Sequence, residues 1–358
     1  MHAPSEAITG WRATRGWRQG ARLLLSAAAL LAAVAASDAL IGAAVSRAPG
    51  WGGTGDPRER ILWDDGGRDA PVVLIGDSVF CSYFVNRPED TLWARLAERL
   101  RVPVFPAALN GATTTDLGLI GRRVAAEWLP GTVALVDVHA SRIFRPGARG
   151  SLEANYAAEL GSLEARGGAA ALVGVPAPGP FLRRHSFLYR NHGRLQEFMA
   201  GTLKPAAEYY GQGKFRDRRW DAGDGFALAR FRELEQGLAG EQLPRLVTDV
   251  DWLLSLERTL RDARLRPVIV LTPLNHALLK EYAKPGSVLP GTLASSRAYL
   301  LERLAKAGVE YVDLYSSPLD PASFADLLHP NARGEAAVAA ILAREIAPRL
   351  GTRPGAKR

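Results

Sequence analysis

From Pro71 to Leu350, short apolar runs alternate with longer amphipathic stretches, and this alternation constrains the fold more than any other feature. An apolar run of four to eight residues reads as a strand covered on both faces, and an amphipathic stretch as a helix with one buried side. Repeated strand–helix alternation predicts an α/β fold: a central parallel sheet between two layers of helices. The predicted strands are Val72–Ile75 (ending at Gly76), Val102–Pro106, Val133–Val138, Pro267–Leu271 and Val309–Leu314. The third is apolar except for Asp137. The predicted helices are Thr91–Leu100, Thr115–Trp128, Val247–Ala263, Leu293–Ala307 and Gly334–Leu350. In an open parallel sheet, ligands bind beyond the carboxyl ends of the strands. Ser78, Gly111, Ser141, Asn275 and the loop with Asp326 and His329 all follow predicted strands, so all are expected at that edge.

The N-terminus has a different character. Leu23 to Val45 is almost wholly Leu, Ala, Ile and Val, broken by Ser26, Ser37, Asp38 and Gly42. About twenty such residues suffice to cross a bilayer as a helix. Arg12, Arg15, Arg18 and Arg22 precede the run, and flanks rich in Arg stay cytoplasmic. Trp11 and Trp17 suit the membrane interface. The expectation is a single-pass signal anchor over residues 23–45, with residues 1–22 cytoplasmic and the rest outside a bacterial inner membrane, facing periplasm or exterior. Asp38 is a cost inside the run, smallest near the outer interface. A cleaved signal peptide is the competing reading, with Val34-Ala35-Ala36 as its small-residue site.

Residues 46–70 are rich in Gly and Pro and read as a linker, so the globular domain is expected over 71–350. Residues 176–246 have weak periodicity and many Arg, Phe, Tyr and Gly. They read either as a mostly helical insertion over the ligand-binding edge or as an excursion packed beside the core. Residues 351–358 form a basic, solvated tail.

The chain carries 45 Lys and Arg against 37 Asp and Glu, a net charge of +8. No dense basic block interleaved with aromatics occurs, which argues against a nucleic-acid partner. The single cysteine excludes an intrachain disulfide and a cysteine-based zinc site. Cys81 reads as a small buried apolar residue. His185, His192 and His276 lack metal-ligand spacing and read as pocket or surface residues, and His139 as a residue at a strand end beside Ser141.

Two motifs carry chemistry. The first strand feeds Gly76-Asp77-Ser78, and far downstream stands Asp326-Leu327-Leu328-His329-Pro330. A serine hydroxyl is a weak nucleophile and needs a base, which His329 can supply. Asp326 can orient the imidazole and stabilise its cation, reaching the ring within one helical turn. Ser78 is expected at the start of a helix, where Asp77 serves as the cap. Its N–H can hold an oxyanion.

The Gly-Asp-Ser turn and the Asp-x-x-His-Pro motif, in that order within an α/β pattern, resemble the SGNH (GDSL-like) hydrolase superfamily. The resemblance covers roughly residues 70–145 and 265–350. It implies a flavodoxin-like three-layer fold, a Ser78–His329–Asp326 triad, and Gly111 as a second oxyanion donor, within Pro106-Ala107-Ala108-Leu109-Asn110-Gly111. The superfamily's third donor is an Asn after the third strand. Here Ser141 occupies that place, and Ser141, Asn110 or Asn275 are the candidate substitutes.

With the anchor, that departure and the later Thr272-Pro273-Leu274-Asn275, the chain is similar to accessory proteins of envelope O-acyl transfer, the D-alanyl transfer and alginate O-acetylation proteins. This implies an acyl donor or acylated carbohydrate as substrate and a membrane-bound O-acyltransferase as partner. The chemistry calls for no cofactor or metal. A non-catalytic glycan-binding or assembly partner is the reading from another class.

Overall fold

The computed structural model describes residues 9–46, 67–85, 87–139, 186, 188, 225–238 and 244–350. The chain divides into two compact units. One comprises Met1–Gly53 with Val175–Leu203, the other Thr54–Gly174 with Lys204–Arg358.

In the first unit, helix α1 runs over Thr9–Ser46. Its stretch Leu24–Ala44, 21 residues of mean hydropathy 2.1, is long and apolar enough to cross a membrane. At 1.5 Å per residue it spans about 30 Å, the thickness of a bilayer's hydrocarbon core. Leu24, Leu25, Leu30, Leu31, Val34 and Leu40 are exposed, whereas Asp38 and Gly42, one turn apart, are buried. A buried carboxylate needs donors. The Asp38 carboxylate accepts from the Ser186 hydroxyl (2.9 Å) and the Leu188 N–H (2.8 Å). Asp38 is therefore satisfied by a distant part of the chain.

The second unit contains a five-stranded parallel sheet, order β2-β1-β3-β4-β5. The strands are β1 (Val72–Gly76), β2 (Val104–Ala108), β3 (Val133–Val138), β4 (Arg266–Leu271) and β5 (Tyr311–Asp313). Between them run α2 (Leu92–Leu100), α3 (Thr114–Glu127), α4 (Gly225–Leu238), α5 (Pro244–Asp262), α6 (His276–Tyr282) and α7 (Leu289–Lys306). Helix α8 (Ala332–Leu350) closes the chain. Every residue of β1 and β3 is buried, as continuous apolar runs under two helical layers require.

Alternate residues of each strand enter opposite cores. Val73, Ile75, Ala134, Val136, Ile269 and Leu271 pack with α3, α5 and α7. Val72, Leu74, Val133, Leu135, Val268 and Val270 pack with α2 and α8. Fully burying one such aliphatic side chain contributes roughly 1.5–3 kcal/mol, so the two cores dominate the cohesion of this unit.

The structure departs from the sequence expectations at several boundaries. Strand β2 lies two residues later than expected, at the sheet's edge, where Pro106 removes no needed ladder donor. Strand β5 is only three residues long, and α6 was not foreseen. The fold also takes in Gly67–Ala70, expected to be linker. Gly67 lies against the Phe105 ring, and Arg68 pairs with Glu127 at 3.1 Å.

Within 176–246, α4 buries Ala227, Phe231 and Leu234 in the core, with Phe231 edge-on to Tyr282 at 5.9 Å. Apart from α4, the first residues of α5, Ser186 and Leu188, that segment lies outside the described residues. So do the apolar run at 169–175, His185, His192 and the tail 351–358.

Candidate active site

The carboxyl ends of β1 and β3 build the floor of the site. Strand β1 ends at Gly76, and the chain turns sharply through Asp77 and Ser78. Asp137 on β3 holds this turn from below, its carboxylate accepting the Asp77 N–H at 3.0 Å and 3.2 Å to its two oxygens. Gly76 is required here because a Cβ would stand 2.5 Å from Asp137 Oδ2 and 2.7 Å from Phe80 Cβ.

The segment after Ser78 is a series of turns, not the helix expected there. Cys81 N–H donates to the Asp77 carbonyl, Tyr83 N–H to that of Ser78 and Ser82 N–H to that of Val79. Their unequal spacing prevents a regular α-helical ladder. Ser82 adopts φ 51°, a left-handed conformation costly for a non-glycine residue. The Asp77 side chain accepts the Val79 N–H at 3.0 Å, so it caps a turn and not a helix. Cys81 is buried in the α2/α8 core, consistent with a packing role.

The Asp326–His329 loop arrives from the other end of the sheet. It is also not the helical turn expected. The Asp326 carboxylate accepts the backbone N–H groups of Leu328 and His329, both at 2.8 Å, and bends the chain around itself. Phe324 bridges Pro330, and the Ala325 N–H donates to the His329 carbonyl at 2.9 Å, closing the loop at its base. The Asn331 side-chain oxygen then accepts the Arg333 and Gly334 N–H groups and starts α8.

These two segments bring Ser78, His329 and Asp326 together across 251 residues of chain. His329 Nε2 lies 2.8 Å from Ser78 Oγ, and its Nδ1 lies 2.8 Å and 2.9 Å from the Asp326 oxygens. An ionised carboxylate only accepts, so the ring proton sits on Nδ1 and the Nε2 lone pair faces the hydroxyl. Burial raises the Asp326 carboxyl pKa, but the His329 charge and three hydrogen-bond donors outweigh it and hold it below the usual range. Asp326 and His329 are buried, whereas Ser78 is partly open to solvent. The His329 ring is walled by Phe84 (5.0 Å between centroids), Tyr83 (6.1 Å) and His139 (6.3 Å).

The β2–α3 loop borders the same turn, its Leu109 N–H donating to the Gly76 carbonyl at 3.0 Å. Gly111 lies on this loop with φ 70°, and its missing side chain meets a conformational need, since a Cβ there would touch nothing. Thr113 and Asp116 form a reciprocal capping box that fixes the loop against α3. Burial raises the Tyr83 phenol pKa, and the Arg230 charge offsets this in part.

Asn275 is closed off from solvent. Its side-chain oxygen accepts the Leu278 N–H at 3.1 Å to cap α6, and its own N–H donates to the Leu327 carbonyl at 2.9 Å. Asn275 thus anchors the Asp326–His329 loop through its backbone N–H and caps α6 through its side-chain oxygen, while its buried side-chain Nδ2 makes no hydrogen bond among the described residues. His276 is likewise structural, with Nε2 2.7 Å from the Tyr315 carbonyl. Ser141 lies outside the described residues, as do Arg142 and Arg145. Asp137, Phe84 and Asn331 were not singled out as site residues. The one signal for any of them was the acidic residue in an otherwise apolar third strand.

Fold and site together define a parallel α/β domain with a Ser–His–Asp hydrogen-bonded chain at the carboxyl edge of its sheet. No family model matches the chain, and no curated protein does. Several solved structures resemble it. A putative acylhydrolase from Bacteroides fragilis is 12% identical, covering 82% of this chain and 95% of that one, with TM-score 0.40. A lipase/acylhydrolase from Enterococcus faecalis is 14% identical, covering 79% and 98%, with TM-score 0.36. A family two carbohydrate esterase from Clostridium thermocellum is 11% identical, covering 78% and 64%, with TM-score 0.37. Likeness at this level says nothing of activity, which rests on the residues themselves.

Proposed function

We propose that this protein is an SGNH-type serine esterase or O-acyltransferase, anchored in a membrane by α1 and acting on acyl esters of cell-envelope carbohydrate. The observation that carries the catalytic part is the unbroken chain from Ser78 Oγ through His329 to Asp326. His329 takes the serine proton as Ser78 attacks the acyl carbonyl, and Asp326 stabilises the imidazolium that forms. The Ser78 and Gly111 N–H groups hold the oxyanion. His329 returns the proton to the leaving alcohol, and an acyl-serine remains. Water or a sugar hydroxyl then takes the acyl group, with His329 again as base. Hydrolase and transferase differ only in which acceptor enters.

The complete triad supports catalysis over a purely binding or assembly role. The apolar length of α1 and the arginines before it support a single-pass anchor with the domain outside the cytoplasm. A membrane-bound O-acyltransferase is the partner that would deliver the acyl group.

Incubation with a fluorophosphonate probe tests the reading. Labelling at Ser78 that disappears in Ser78→Ala and His329→Ala is expected, whereas no labelling of folded protein would overturn it. Acetate release from a model ester without sugar acceptor separates hydrolase from obligate transferase. A topology reporter fused after residue 60 should be active only outside the cytoplasm.

A further inference from the structure

A cleft of about 800 Å³ opens between the end of α2 and the flank of α8. It follows α8 from Ala336 to Leu350, about 20 Å at 1.5 Å per residue. None of the triad residues lines it. Its floor is aliphatic, with Leu100 and Val102 on one side and Ala343 and Leu350 on the other. Its rim is cationic: Arg95, Arg99, Arg101 and Arg344 stand there against one acidic residue, Glu98.

Two of the four arginines are already engaged. Arg95 pairs with Asp90 and, at 3.4 Å, with Glu98, and Arg344 pairs with Glu345 at 3.1 Å. Arg99 and Arg101 are exposed and have no carboxylate partner among the described residues. A helix C-terminus favours cations, and Arg99 stands in the last turn of α2. That end carries only about half a negative charge, whereas Arg99 and Arg101 bring two positive ones. Arg101 is also placed at a cost. It caps α2 with φ 57° and ψ 33°, the left-handed conformation for which glycine is the usual residue. Core packing does not explain an arginine at so exposed a position. The sequence after Leu350 adds Arg353, Lys357 and Arg358 and no acid.

We propose that this cleft binds an anionic phospholipid, with the phosphate on Arg99 and Arg101 and the start of an acyl chain on the aliphatic floor. A guanidinium fork matches phosphate oxygens two at a time, and clustered arginines attract anionic headgroups. An acidic sugar polymer would suit the rim but not the floor, where hydrocarbon gains by leaving water. The site is separate from the triad and stands whether or not Ser78 is a nucleophile.

The test is hydrogen exchange of the full chain in an uncharged detergent, with water-soluble dihexanoyl phosphatidylglycerol as the probe. Arg12, Arg15, Arg18 and Arg22 can also meet this lipid, so protection at the cleft, not total binding, is what counts. Backbone N–H groups of residues 95–102 and 343–350 should exchange more slowly as the lipid is added. Dihexanoyl phosphatidylcholine and inorganic phosphate at the same concentrations should protect neither segment. The double variant Arg99→Glu, Arg101→Glu should need about thirtyfold more lipid or beyond, at roughly fivefold for each basic residue lost. Arg101→Gly relieves the left-handed cap, so it should melt no lower than wild type yet bind about fivefold more weakly. Absence of protection by phosphatidylglycerol would overturn the proposal, as would wild-type binding in both variants. Equal protection by phosphatidylcholine, by phosphate or by an oligouronate would overturn it too, by showing an uncharged groove, a simple anion site or a glycan site.

Discussion

The Asp137 carboxylate reaches across 60 residues to accept the backbone N–H of Asp77, and so fixes the turn that presents Ser78. Asp137 follows Val136, which pairs with Ile75, so the parallel register itself sets it beside Gly76. Removing the acceptor leaves a buried N–H unsatisfied, which costs about 1–3 kcal/mol. Asp137→Ala should lower the melting temperature and slow probe labelling of Ser78. Asp137→Asn keeps an acceptor oxygen and should lose less of both. Equal losses in the two variants would show that the charge, and not the hydrogen bond, matters here.

The role of Asp326 can be separated from that of His329. Asp326→Asn offers Nδ1 either an amide oxygen or an amide N–H, so the tautomer that leaves Nε2 free to accept is no longer enforced. A loss of about 10⁴ in kcat is expected, on the scale seen when a triad carboxylate becomes an amide, with KM little changed. Ester hydrolysis by purified protein measures this. A loss under tenfold would mean that His329 is held in place by its aromatic walls, Phe84 above all.

Gly334 tests the loop that carries the base. A Cβ there would stand 2.1 Å from the Ser323 carbonyl oxygen and 2.8 Å from Pro330 Cβ. The first contact is with backbone and cannot be relieved by a rotamer change. Gly334→Ala should therefore cost about 1–3 kcal/mol through overpacking and also reduce kcat, because Pro330 adjoins His329. Chemical denaturation and kinetics on one preparation read both effects.

Much of this organisation was legible in the sequence, for physical reasons. Strands buried on both faces must be apolar throughout, so β1, β3 and β4 stood out as runs. The Ser78 and Asp326–His329 motifs were visible because each is local and each follows a strand. What stayed hidden depends on contacts between distant segments. Helix α6 begins only because Asn275 both caps it and holds Leu327, a pairing that no local pattern encodes. The turns after Ser78 replace a helix because Asp77 and Ser82 direct their side chains to backbone donors. No local pattern marks Glu335, and only the fold buries it. The shift of β2 by two residues reflects Phe105 and Ala107 being drawn into the core ahead of Val102.

The two buried carboxyls give stability opposite dependences on pH. The folded-state pKa of Asp326 lies below its unfolded value, so its ionised form contributes stability above about pH 4. That contribution is lost as pH falls through the folded value. Glu335 behaves in reverse, its folded pKa lying well above the unfolded one. Below about pH 4 it is protonated in both states and costs nothing. As pH rises, the unfolded chain releases its proton while the folded protein retains it, and stability falls until the folded carboxyl ionises as well. Glu335→Gln removes that fall. Its melting temperature should match wild type near pH 4 and exceed it by a margin that grows towards pH 8. For Asp326→Asn the melting temperature should lie below wild type at pH 7, with the gap narrowing in acid. Calorimetry across this range checks both signs, and a Glu335→Gln margin independent of pH would mean that Glu335 is already ionised in the folded protein.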